Sequence, residues 1–168
     1  MPPPVIEILE DWDDSPQTLS HWVRGALVAV ALGLLALFGI ARWLNPYDEA
    51  GHPLRMQTHR QLGLPPCTFF ALTHLPCPSC GMTTSFSLLM HGDMINSLHA
   101  NAVGTLLALL WLALIPWCLL CVVKKRIVLV RSLERAVAVC VIGFLGLLMI
   151  RWLLLLGLTL WGGMPVQF

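Results

Sequence analysis

Cys77-Pro78-Ser79-Cys80-Gly81 is the part of this sequence best equipped for chemistry. Two cysteines separated by two residues can turn both sulfurs onto one ion or join in a disulfide, because the spacer closes a tight turn that Pro78 and Gly81 favour. With Cys67 and His74 just upstream, the set Cys67, His74, Cys77 and Cys80 is a mixed sulfur and nitrogen donor set of the kind that suits zinc. The short connection from Leu72 to Pro76 makes it tight for His74 to converge with the cysteines. The same residues also suit a disulfide or a redox-active pair, Cys77 with Cys80 or Cys67 with either. No thioredoxin-like βαβ pattern surrounds the pair, which counts against catalysis. A third reading is that the cysteines are small apolar residues packed into a tight turn. Covalent haem requires a histidine directly after the second cysteine, and Gly81 stands there. His91 and His99 are left as axial candidates, though a lone histidine near a helix end is more often an interfacial residue.

The elements that must hold this turn can be read from spacing. Met82, Phe86, Leu89 and Met90 fall at helical intervals, Gly92 is a suitable helix stop, and Asp93 can N-cap a further helix through Ser97. The cysteines then lie at a helix N-terminus, where the dipole and free N–H groups favour thiolate.

Beyond that module the chain is dominated by apolar runs: 57% of residues are hydrophobic and 11% are charged, against roughly a quarter charged in soluble domains. A net charge of +1 excludes the basic field of a nucleic-acid partner. The expected fold is an all-α membrane protein with about three transmembrane helices plus a short interfacial or re-entrant segment carrying the Cys-x-x-Cys turn. Its parts are an acidic, Pro-rich tail (1–21), span one (22–44) and an external loop (45–66). The cysteine module (67–99), span two (100–123), a basic loop (124–135), span three (136–161) and a short tail (162–168) follow. Trp22 and Trp43 bracket span one as interfacial anchors, Pro116 is expected to kink span two, and Arg151 interrupts span three. The tail lacks the basic n-region and cleavage site of a signal peptide and reads as mostly disordered. Lys124, Lys125, Arg126, Arg131 and Arg135 mark their loop as cytoplasmic, so the N-terminus lies inside and the cysteine module lies on the external, periplasmic face of a bacterial inner membrane.

From Cys67 to Thr84, then through Leu89-Met90-His91-Gly92-Asp93 to Asn101, the sequence resembles a family of small bacterial membrane proteins described only as a domain of unknown function. The family pattern is a lone Cys, Leu-Thr-Gly, Cys-Pro-x-Cys-Gly-x-Thr-Arg, a Gly-Asp turn and Asn-Pro entering the next span. Cys67, Cys77, Cys80, Gly81, Thr83, Gly92, Asp93 and Asn101 match it one by one. His74 stands in place of the usual Gly, Thr84 in place of Arg and Ala102 in place of Pro, so any anion-binding role of that Arg is missing. The resemblance, over roughly residues 67–123, implies a helical membrane fold and supplies no activity.

Within the spans, Cys118, Cys121 and Cys140 read as packing residues, and the tryptophans, Trp111 and Trp152 among them, as interfacial belt plus packing. Arg151 is the exception, because a cation placed near the bilayer midplane is costly unless paired or wetted. It is expected either to pair with Asp93 or carbonyls of the 77–84 turn, or to snorkel outward from a helix that ends at Gly157. The leading functional expectation is a non-catalytic scaffold or accessory subunit with a zinc-bound or disulfide-held cysteine motif. Its partners would be the bilayer and either other membrane protein subunits or further copies of itself. A thiol oxidoreductase using Cys77 and Cys80 and an oligomeric small-molecule or ion carrier built around Arg151 are the alternatives.

Overall fold

A computed structural model describes residues 19–73, 75, 77–127 and 133–162. Most of the N-terminal tail, His74, the middle of the basic loop and the last residues lie outside that set. The protein is an all-α membrane protein, and among the described residues three helices are long and apolar enough to cross a membrane. In chain order these are α1 (His21–Trp43), α4 (Met94–Lys124) and α5 (Leu133–Gly162), with the short helices α2 (Thr68–Thr73) and α3 (Met82–Met90) between α1 and α4. A 3-10 turn at Thr58–Leu62 precedes α2.

α1 buries Ala31, Phe38 and Ala41. These recur at one helical face, toward α4 and α3. The helix stops at Leu44, whose backbone is extended. The chain then folds back through Asp48, whose carboxylate accepts the N–H groups of Ala50 and His52 at 2.9 and 2.7 Å. α3 packs at the same end of the bundle, and Phe86 stands between Phe38 and Trp111 with ring centroids 5.9 and 5.8 Å away. Trp111, half-buried, therefore packs against the core of the bundle.

Two polar devices join α3 to α4. The Asp93 carboxylate accepts the backbone N–H of Asn96 at 3.2 Å, which is the expected N-cap. Hydrogen bonds from Asn96 hold this carboxyl below the usual range. Ser97 Oγ donates to the Ser85 carbonyl at 2.8 Å and lies 2.8 Å from Thr105 Oγ1, so three buried hydroxyl residues share partners inside an apolar contact. Gly104 makes the approach possible, since a Cβ there would sit 2.6 Å from Ser85 Oγ. Small residues at such crossings let backbones come close where lipid gives no hydrophobic drive.

The interruption of α4 falls at Asn101, with φ −159° and ψ 101°, while Pro116 sits inside the helix that follows. The backbone thus leaves helical values at Asn101, the second residue of the expected span two and about two turns into α4, and keeps them at Pro116. Proline at this position is accommodated by the surrounding helix, whereas Asn101 supplies a side chain that can cap a new start. The second segment, from residue 102 to Lys124, is long enough by itself, at about 1.5 Å per residue, to cross a hydrocarbon core of about 30 Å.

α5 touches the rest through few side chains. Its outward surface is apolar, with Val139, Ile142, Leu154 and Leu158 all exposed. Trp152 meets Phe69 of α2 edge to face at 6.3 Å. Cys118 and Cys121 are buried against neighbouring helices and Cys140 is exposed, in keeping with packing and lipid-facing roles.

Candidate metal centre

Three sulfurs converge at one end of the bundle. Sγ of Cys67, Cys77 and Cys80 all lie within 4.8 Å of one another, and each residue is partly buried. Cys67 sits immediately before α2, whereas Cys77 and Cys80 lie on the turn before α3, so tertiary folding, not spacing alone, adds the third thiol. The Cys-x-x-Cys turn is closed by Cys80 N–H donating to the Cys77 carbonyl at 3.1 Å. The Cys77 N–H points back at Cys80 Sγ, 3.3 Å away. Sγ of Cys77 is 2.8 Å from Sγ of Cys80 and 3.4 Å from Ser79 Oγ.

This arrangement separates the two thiols electrostatically. Burial pushes Cys77 up, but hydrogen bonds from Cys80, Ser79 and Cys67 outweigh it and hold the thiol below its ordinary range. Burial and the Cys77 sulfur together push Cys80 up to about 12. Cys77 therefore loses its proton first, and Cys80 holds its own in a hydrogen bond to the resulting thiolate.

The turn is anchored from behind. Gly81 has φ +81°, and a Cβ on it would lie 2.6 Å from the Ala100 carbonyl oxygen and 2.8 Å from that of Arg55. Asn101 explains why the Ala100 carbonyl is there. Its Oδ1 accepts the Gly104 N–H at 3.0 Å, the bond that a continuous helix would have given to Ala100, and its Nδ2 donates to the Cys80 carbonyl at 3.1 Å. One side chain thus caps the lower segment of α4 and ties it to the cysteine turn.

Arg151 completes the surroundings. Its Nη2 donates to the Ala100 carbonyl at 3.2 Å, so the predicted carbonyl partner belongs to the α4 break and not to the 77–84 turn. Asp93, the other expected partner, is engaged by Asn96 and by the Tyr47 hydroxyl. With the Gly104 N–H taken by Asn101, the Ala100 carbonyl has lost its helix-ladder donor, and the guanidinium supplies one in its place. Nor does α5 end at Gly157, since it continues to Gly162. The guanidinium is close enough to Cys80 and Cys77 to interact with both electrostatically, and its Nη1 is buried with no hydrogen-bond partner among the described residues.

Of the other residues singled out by sequence, Thr83 borders the cysteine turn half-buried. Thr84, at the position where the resembling family has Arg, is fully buried and accepts from Thr58 Oγ1 at 2.8 Å. Arg42 lies 3.1 Å from the His91 ring, and His99 is exposed. Neither histidine joins the sulfurs, and His74 lies outside the described residues. Sequence reasoning missed Arg55, Thr58 and Gly104. Of these, only Gly104, a glycine inside a spanning run, carried a local signal of close packing.

Fold and site together define an all-helical membrane protein with a three-cysteine cluster at one end of a frame of spanning helices. Within it, residues 67–115 match the family model described as "Protein of unknown function (DUF2752)". The matched stretch contains all three clustered cysteines, Gly81, Asp93 and Asn101, and excludes α1 and α5. No curated protein and no solved structure matches the chain.

Proposed function

We propose that this chain is a membrane scaffold or accessory subunit whose cysteine end holds a zinc ion through Cys67, Cys77 and Cys80. The observation that carries the reading is the third thiol. A redox pair needs two cysteines, yet Cys67 arrives from a separate segment to within 4.8 Å of both others. Four-coordinate zinc with bonds of about 2.3 Å needs sulfurs about 3.8 Å apart, and the pair distance of 2.8 Å together with the 4.8 Å limit brackets that value. Three thiolates on a divalent ion leave a net negative charge, which the adjacent Arg151 guanidinium offsets. The fourth position is open to His74 or to water. In this reading the cysteine end faces outward, opposite Lys124, Lys125 and Arg126, and the exposed apolar surface of α5 meets lipid and a membrane partner.

Elemental analysis and thiol counting on the detergent-purified protein test it. The expected result is zinc near one per chain, lost in Cys80→Ser and in Cys67→Ser. Arg151→Leu is expected to weaken retention about tenfold or more, as removal of an outer-shell partner does. The 2.8 Å contact and the unequal thiols favour a second reading, a dithiol that cycles to a disulfide. Metal-free protein with a reversible bond between Cys77 and Cys80, indifferent to Cys67→Ser, would replace the first reading with the second.

A further inference from the structure

A cavity of about 770 Å³ opens beside the cysteine cluster and extends along α1. Its volume is within the range of small-molecule sites, about 300–1,000 Å³. At one end its wall is formed by the three cysteines and Ser79, with Gln57 and His59 nearby; at the other it reaches Gly33 and Trp111. Gly33 is halfway along α1, eleven residues from Leu44, which places the far end about 16 Å from the near one along the helix. One end thus offers thiols, a hydroxyl, an amide and an imidazole, while the other lies at the depth of hydrocarbon.

Among the described residues the lining contains no Lys, Arg, Asp or Glu. Arg42, Arg55, Arg60 and Arg151 are all close by in sequence or space, and none contributes to the wall. A phosphate head would enter without a cation to meet it, which is costly away from water. An uncharged head with carbonyl or hydroxyl oxygens meets donors and acceptors at the cysteine end instead. From this geometry we propose that the cavity is a binding site for a neutral-headed lipophile taken from the bilayer, of the quinone or isoprenoid-alcohol kind. Its head rests against the cysteine cluster and its tail lies along Gly33 and Ala36. The site goes beyond the zinc reading, since the cavity accepts such a molecule whether the sulfurs hold an ion or each other.

Two glycines of α1 make a matched test. A Cβ at Gly33 or at Gly39 meets nothing within 4 Å, so either position tolerates a side chain, but Gly33 lines the cavity and Gly39 does not. The full-length protein in detergent is titrated with decylubiquinone and, separately, with farnesol, and bound molecules are counted by native mass spectrometry. Saturable binding of either probe at one per chain is expected, and which of them binds tells the quinone source from the alcohol. Gly33→Leu is expected to lower that affinity about tenfold or more, the scale of filling an apolar pocket, while Gly39→Leu keeps it. Equal binding by both variants, no saturable binding of either probe, or tighter binding of phosphatidylglycerol than of both probes overturns the proposal. Zinc content measured on the same samples keeps the two readings apart, because Gly33→Leu leaves the sulfurs untouched.

Discussion

Gly81→Ala is expected to destabilise the protein by about 2–5 kcal/mol and to abolish the cysteine cluster. Two costs combine. A side chain at φ +81° is strained, and its first carbon would lie 2.6 and 2.8 Å from two backbone carbonyl oxygens that no rotamer change can move. The left-handed backbone costs about 1–2 kcal/mol for a residue with a Cβ, and forced overpacking adds about 1–3 kcal/mol. Gly92→Ala separates the terms, since Gly92 has φ +84° with nothing within 4 Å. Thermal unfolding in detergent should show a small loss for Gly92→Ala and a much larger one for Gly81→Ala, with zinc or the dithiol lost in the latter alone. Equal effects would mean that the Arg55 and Ala100 carbonyls do not confine the turn.

Asn101→Ala is the second large effect, expected at about 1.5–5 kcal/mol. The residue is fully buried, and its amide serves both the Gly104 N–H and the Cys80 carbonyl. Loss of a helix cap costs about 0.5–2 kcal/mol, and a buried group left without its partner costs about 1–3 kcal/mol. Asn101→Ser keeps an acceptor near Gly104 but is too short to reach Cys80. Its unfolding temperature should fall between wild type and Asn101→Ala. If alanine straightens α4 with no loss of stability or thiol arrangement, the break at Asn101 is not what holds the turn.

The spans were legible because each is a long apolar run, broken only by Arg151 in the third and stopped by charge or by Gly and Pro, a signal that needs no tertiary context. The pairing of Cys77 with Cys80 and the cap at Asp93 were equally local. The break at Asn101 was not, because hydropathy runs on through it from Ala100 to Val103 and a single amide barely lowers the average. The partner of Arg151 was hidden for a different reason: every residue carries a carbonyl, and which one is released depends on where a helix breaks. The hydroxyls of Thr58, Thr84, Ser85 and Thr105 are ordinary in composition, and their burial emerges only when the 3-10 turn and α4 both lie against α3.

The bond from Arg151 to the Ala100 carbonyl fixes how far α5 is turned about its axis. Each residue of an α-helix advances the angle by about 100°, so one residue added or removed between Arg135 and Arg151 swings the guanidinium away from the cysteine end. Substitution of one apolar residue for another at the exposed positions of that stretch, such as Val139, Ile142 or Leu145, changes only what lipid touches. Those positions are therefore free in spelling while the stretch is strict in length: a scan of single-residue insertions should damage the cysteine end from a distance, while apolar exchanges at the exposed positions pass without effect.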